Sequence, residues 1–390
     1  MLGVYFFWRT KETTPLLTGL SSAKRSSFIQ RELVVANRYT HNLGSSEVPN
    51  LKEQEMKSST AMGFRFLGKT FVIVVVLQFF VWNITSISIG ASSDQLSAAI
   101  SQANLSQLIN ASISVHNLPS SVTPSLSTLA NGHDFGNTLV WNRCGYINTS
   151  AWQEHIAHCY FGDTKSKVTV ALVGDSRASM YLDTFAKLGK LEHFKILFIA
   201  KDGCPSPLGT YMTNNNGTLS DAVWTACTKF HSYLISNLKK IKPRVIVVSS
   251  GVAIAFTNPV HVATGPEIQA GMTAFLSKLP ASSRVIVLGG FPQPAPTADP
   301  TVCLSRKPTN VASCAFTPPA NIQTNNAVFA SATKAEGDAF VNQTPWFCTS
   351  TCPALIGKYI PYTADAYHAD NTYLQFLIGV LWSSIERYVI

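Results

Sequence analysis

Two short stretches hold side chains that could do chemistry together. Gly174-Asp175-Ser176 closes the apolar run Val170-Ala171-Leu172-Val173, and Asp365 stands three residues before His368, just ahead of an apolar segment that starts near Thr372. A serine hydroxyl is a weak nucleophile until a base takes its proton, and that base needs an acid to orient it. On a turn, the Asp365 to His368 spacing lets the carboxylate reach the imidazole. The catalytic reading therefore makes Ser176 the nucleophile, His368 the base and Asp365 its orienting acid. The simpler reading is structural: Asp175 and Ser176 are residues that a helix prefers at its start, Asp365 is a turn residue, and Asp370 or Asn371 caps the last helix. His193, His231 and His261 have no comparable acidic neighbour.

Acyl chemistry at Ser176 also needs donors for a developing oxyanion. By position, the Ser176 amide is one. Gly203, in Lys201-Asp202-Gly203-Cys204-Pro205, is a second, because a residue without a side chain lets its amide approach a ligand closely. The third falls in Ser249-Ser250-Gly251, with Ser250 taken as the donor. Asp175 and Arg177 flank the nucleophile and are expected to contact substrate.

The elements that must carry these residues follow from hydropathy. Continuous apolar runs at 168–173, 195–200, 245–249 and 285–288 read as buried parallel strands. Between them, 177–189, 225–240 and 266–279 are compatible with helices. Such alternation predicts an α/β fold, a three-layer α/β/α sandwich with a mostly parallel sheet, whose ligands bind beyond the carboxyl ends of the strands. Ser176 sits at such an end. Residues 292–319, rich in proline and bounded within by Cys303 and Cys314, read as a long excursion serving as a lid or substrate wall.

Charge and cysteine usage place the chain. Of its net charge of +9, over half lies before residue 70, where ten Lys and Arg face five Asp and Glu. No basic block interleaved with aromatics appears, so nucleic acid is not an expected partner. Phe71 to Gly90 has no charged residue and follows Arg65 and Lys69, which predicts one membrane helix with the N-terminus in the cytoplasm and the rest outside the cell membrane. A cleaved signal peptide is the alternative. The expected organisation is a cytoplasmic tail over 1–69, the membrane segment over 70–90, a linker with a short helix over 91–139 and the main domain over 140–390. All eight cysteines, Cys144, Cys159, Cys204, Cys227, Cys303, Cys314, Cys348 and Cys352, lie beyond the membrane segment, which predicts disulfides, most simply each with the next. Their spacing fits zinc poorly. No metal and no cofactor are expected.

At this point the chain resembles a family. Gly174-Asp175-Ser176, the glycine after the second strand and the late Asp365-x-x-His368 are similar to the first, second and fifth blocks of the SGNH (GDSL-like) serine hydrolases. The likeness is nearest to the exported SGNH domains fused to actinobacterial membrane O-acyltransferases, through cysteine-framed segments such as KDGCP, CLSRKPTNVASCA and CTSTCPALIG. The resemblance covers roughly 94–390 and implies an SGNH fold, a Ser-His-Asp acyl-enzyme mechanism, and acyl, chiefly acetyl, esters of envelope glycans as substrates. Two departures stand out: Arg177 occupies a place where that branch commonly has histidine, and the asparagine of the third block is absent. Only one membrane segment precedes the domain here, so a separate multi-span acyltransferase is the expected partner. The contrasting expectation is an inactive SGNH-fold module that binds a glycan or that acyltransferase.

Overall fold

The computed structural model describes residues 99–130, 159–215, 218–223, 225–251, 256–257, 261–295, 299–365 and 367–390. The expected tail, the expected membrane segment and Cys144 lie outside these, and among the described residues no helix is long and apolar enough to cross a membrane. Six strands form the central sheet: β1 (Tyr160–Gly162), β2 (Thr169–Gly174), β3 (Lys195–Ala200), β4 (Val245–Ser249), β5 (Arg284–Leu288) and β6 (Ala339–Val341). Their order is β1-β3-β2-β4-β5-β6, parallel throughout except for β1. The four apolar runs of the sequence are its four central strands. The two edge strands have only three residues each and no apolar run to announce them.

Successive side chains of a strand point to opposite faces, and both faces here are buried. Val170, Leu172, Val245 and Val247 face one core; Ala171, Val173, Ile246 and Val248 face the other. The second core is closed by α1 (Thr225–Ile241), α2 (Gly265–Leu276) and α3 (Ala320–Ala335), through Phe230, Leu234, Met272, Phe275 and Phe329. The first core is closed by helices Leu182–Leu191 and Ile378–Val389, through Phe185, Leu188, Leu381 and Ile385. Each large apolar side chain buried this way contributes about 2 kcal/mol. The three layers expected from the strand-helix alternation are present.

Differences from expectation have local causes. The helix expected over 177–189 is two, Ser176–Met180 and Leu182–Leu191, joined at Tyr181, whose hydroxyl donates to Gln343 Oε1 at 2.5 Å. The short helix expected in the linker spans Gln102–Ser112 and packs into the main body: Leu105 and Ile109 are fully buried in the first core, and the Gly357 amide donates to Ser112 Oγ at 2.9 Å. The excursion after 292 folds as a helix, Pro300–Arg306, and a short 3₁₀ turn, with Leu304 and Val311 buried against Leu129, Leu355 and Ile360. The segment is thus anchored by a small core of its own. Disulfides join Cys204 to Cys227, Cys303 to Cys314 and Cys348 to Cys352, and Cys159 is also disulfide-bonded.

The register positions the site. Gly174 is opposite Ala200 of β3 on one side and Ser249 of β4 on the other, and Ser249 is opposite Leu288 of β5. The segments just beyond these four strands therefore meet: Asp175–Ser176, Lys201–Gly203, Ser250–Gly251 and Gly289–Phe291. The chain leaves β2 for β3 on one side and returns to β4 on the other, so β2 ends at the point where strand order reverses, the place where a crevice opens in such sheets.

Candidate active site

Ser176 follows a backbone that only glycine accepts. Gly174 has φ +144°, and a Cβ there would lie 1.9 Å from the Ser249 carbonyl oxygen. Its own carbonyl accepts the Lys201 amide at 3.0 Å, which ties the turn to β3. Asp175 then caps the short helix: Oδ1 accepts the Arg177 amide at 2.8 Å, while Oδ2 accepts the Gly251 amide at 2.7 Å and the Ser250 hydroxyl at 3.1 Å. The capping reading of Asp-Ser is thus realised by Asp175. Asp175 takes the cap, and the Ser176 hydroxyl is left for other work.

Ser176 Oγ lies 2.8 Å from His368 Nε2, and His368 Nδ1 lies 2.6 Å from Asp365 Oδ2. The other carboxyl oxygen, Oδ1, accepts the Thr363 hydroxyl at 2.6 Å and the amides of Tyr367 and His368 at 2.8 and 3.1 Å. Burial pushes the Asp365 carboxyl up, but these hydrogen bonds and the charge of His368 outweigh it and hold the group well below the usual carboxylate range. An ionised carboxylate can only accept, so in the neutral form of the imidazole the proton sits on Nδ1 and Nε2 turns its lone pair to Ser176. The loop itself is pinned at both ends. Thr363 N donates to the His368 carbonyl at 3.1 Å, and Asp370 caps the next helix by accepting the Tyr373 amide at 2.9 Å.

Other expected site residues have different surroundings. Asp175, expected at the substrate, is instead buried, with three protein donors on its carboxyl; burial raises its pKa, opposed by the Arg177 and Gly251 amides and the Arg177 charge. Ser250, expected as an oxyanion donor, gives its hydroxyl to Asp175 and accepts the Ser206 amide at 2.8 Å. This pair staples the loops after β2 and β4 together and engages the Asp175 carboxyl and the Ser250 hydroxyl. Gly203 is exposed in the turn after β3 with φ +70°, in the left-handed region that favours glycine. Arg177 is partly buried, its guanidinium carbon 4.5 Å from the ring centre of Phe291.

Several supporting residues escaped the sequence reading. Thr363, two residues before Asp365, could have been suspected from that proximity. His231, buried and with its pKa lowered by desolvation, sits 2.8 Å from the Pro205 carbonyl and beside the Cys204–Cys227 disulfide. The three residues converge as metal ligands might be drawn, but the two sulfurs are bonded to each other and leave no thiolate. Their role is to anchor the turn that carries Gly203. No short-range pattern connects residues 204, 227 and 231 to that turn.

Asp202, next to Gly203, is 7% exposed, and burial followed by the nearby Asp175 pushes its carboxyl up from 3.8 to about 7. The folded chain thus holds a proton that the unfolded chain releases between about pH 4 and about pH 7, so this group lowers stability as pH rises through that window and adds nothing further above it. Asp202→Asn, which keeps the shape without the charge, is expected to melt higher than the parent at about pH 8 and to lose most of that advantage at about pH 5, a difference of at most about 4 kcal/mol. Thermal melts of both proteins at the two pH values check it; an advantage independent of pH would refute the assignment.

A family model described as SGNH domain (fused to AT3 domains) matches residues 143–381. Among solved structures the chain is similar to the periplasmic domain of the lipopolysaccharide acetyltransferase of Salmonella ser. Paratyphi A, with 16% identity and a TM-score of 0.47 over 69% of this chain and 97% of that one. It is also similar to a GDSL-like lipase from Bacteroides thetaiotaomicron, with 16% identity and a TM-score of 0.34 over 56% and 88% of the two chains. A carbohydrate acetylesterase from Sinorhizobium meliloti shows 11% identity and a TM-score of 0.35 over 57% and 99%. No curated protein matches the chain.

Proposed function

Since the chain belongs to the SGNH family of ester hydrolases and acyltransferases, we propose that it cleaves or transfers short acyl groups, acetyl above all, on cell-envelope glycans through a serine acyl-enzyme. The observation that carries this reading is the unbroken relay from Ser176 through His368 to Asp365, at 2.8 and 2.6 Å. Ser176 Oγ bonds to the ester carbonyl carbon as its proton passes to His368 Nε2. The negative charge that forms on the carbonyl oxygen is met by the Ser176 and Gly203 amides. On collapse the carbon–alkoxy bond breaks, and the proton on Nε2 leaves with the alcohol. His368 then deprotonates water or a sugar hydroxyl as that oxygen bonds to the acyl carbon. The bond from the carbon to Ser176 Oγ breaks, Oγ regains the proton from Nε2, and the product is the free acid or a new ester. Asp365 stays ionised throughout and stabilises the imidazolium.

In this reading the segment Phe71–Gly90 anchors the chain in the cell membrane and the catalytic domain works outside the cytoplasm. The disulfides support it, since such bonds persist in oxidising compartments. The family description, a domain fused to AT3 domains, supports a multi-span acyltransferase as acyl donor and partner. The test is covalent labelling of the detergent-solubilised full chain with a fluorophosphonate. A single adduct mapped by peptide mass spectrometry to Ser176 is expected. A folded chain that takes up no label would favour the inactive, glycan-binding module.

A further inference from the structure

Resting on that reading, we propose that Arg177 makes the site selective for esters that carry a carboxylate within one side-chain length of the scissile bond. Arg177 directly follows the nucleophile, and its side chain runs from the end of β2 past Gly251, where an added Cβ would lie 3.9 Å from both its Cγ and its Nε. It ends over Phe291, just beyond β5. The charge is therefore carried along the carboxyl ends of the strands, on the opposite side of Ser176 from Gly203. This places it where the body of a substrate must lie once its carbonyl oxygen points at the Gly203 amide.

The cation is held ready. Phe291 is 1% exposed and stacks on Phe347 at 4.7 Å, so the ring under the guanidinium cannot turn away. Stacking on an aromatic ring uses one face of a guanidinium and leaves the N–H donors of its edge available for a planar, bidentate acceptor. Among the described residues no carboxylate lies within ion-pair distance of that group. Asp175, the nearest acid in sequence, has its oxygens filled by the Arg177 and Gly251 amides and the Ser250 hydroxyl. The segment after Phe291 also reaches the loop of the base, because Gln293 Nε2 donates to the Tyr367 carbonyl, one residue before His368. A cation over this ring beside the nucleophile, with no hydrogen-bond acceptor for its guanidinium among the described residues, fits an anionic substituent. Two sources share this chemistry: the acyl group, as in a dicarboxylic half-ester, or the alcohol, as in an acetylated uronic acid.

A purely structural Arg177 would only offset the buried charge of Asp175, and the two roles part in one experiment. With the solubilised full chain, kcat/KM is compared for nitrophenyl hemisuccinate against nitrophenyl butyrate, and for O-acetylated glucuronic acid against O-acetylated glucose. The parent is expected to prefer the anionic member of at least one pair by about tenfold or more, and the preference should shrink in high salt. The pair that shows it identifies the source. Arg177→Gln should bring that ratio near one, with Arg177→Lys between, since an ammonium keeps the charge but lacks the fork. A ratio near one in both pairs for the parent, or one that Arg177→Gln and Arg177→Lys leave unchanged, would overturn the inference while the esterase reading stands. Should the Gln variant fail to fold, the Lys variant and the salt dependence still decide. No turnover of any of the four, with no fluorophosphonate adduct, would remove the esterase reading and this inference with it.

Discussion

Ser176→Ala is expected to lower ester turnover by about 10⁵-fold or more while leaving the fold intact. The loss is large because the nucleophile and base act as a unit: without Oγ, His368 Nε2 has no proton to receive, and the covalent intermediate that splits the reaction into two easier steps cannot form. A residual rate above that of water should persist, since the Ser176 and Gly203 amides are backbone groups that alanine keeps. The fold should hold because Ser176 is partly exposed and, among the described residues, its hydroxyl bonds only to His368. Steady-state kinetics on a chromogenic acetate ester, beside a thermal melt, give the answer. A variant that melts like its parent and keeps more than about a hundredth of its activity would exclude Ser176 as nucleophile.

The second large effect is expected from Asp365→Asn, about 10⁴-fold in kcat with little loss of structure. The hydrogen-bond pattern says why. Oδ1 accepts two backbone amides, from Tyr367 and His368, which cannot turn into acceptors. In the variant the amide oxygen must therefore take that position, and the NH₂ group is left facing His368 Nδ1. Nδ1 then has to accept, its proton moves to Nε2, and the imidazole confronts Ser176 with a hydrogen where it needs a lone pair. The expected signature is a collapse of kcat and of labelling by fluorophosphonate, with KM changed little. Proton NMR of the imidazole should show the proton on Nε2 in place of Nδ1. Retention of normal kcat would mean that a group other than Asp365 orients the base.

Asp202 and Asp365 show how differently one side chain behaves in two loops of the same crevice. Asp365 is surrounded by donors and held ionised; Asp202 sits behind the turn, near Asp175, and keeps its proton up to about pH 7. Nothing in Lys201-Asp202-Gly203 foretells this, because desolvation depends on what packs over the residue and not on its neighbours in the chain.

The four central strands, most of the helices around them and the three side chains of the relay were legible along the chain. The reason is that their signals are local: a strand buried on both faces must be a continuous apolar run, Asp-Ser at its end must begin a helix or a site, and Asp365 and His368 are close enough in sequence to meet on one turn. Thr363 and the caps at Asp175 and Asp370 obey the same short-range rules.

Packing settled what those rules leave open. Ser176 and His368 are 192 residues apart, and they meet because the register aligns the ends of four strands while the last helices lay the Asp365 to His368 loop across them. Asp175 accepts the Ser250 hydroxyl because two loops far apart in the chain had to be joined where water is excluded, and a buried donor or acceptor left unmatched is costly. Arg177 lies over Phe291 for the same reason of placement: strand order brings the end of β5 within reach of a residue that follows β2. Residue type and short spacing announce which groups can react, whereas the neighbours that claim, orient or free each group are assembled from distant segments.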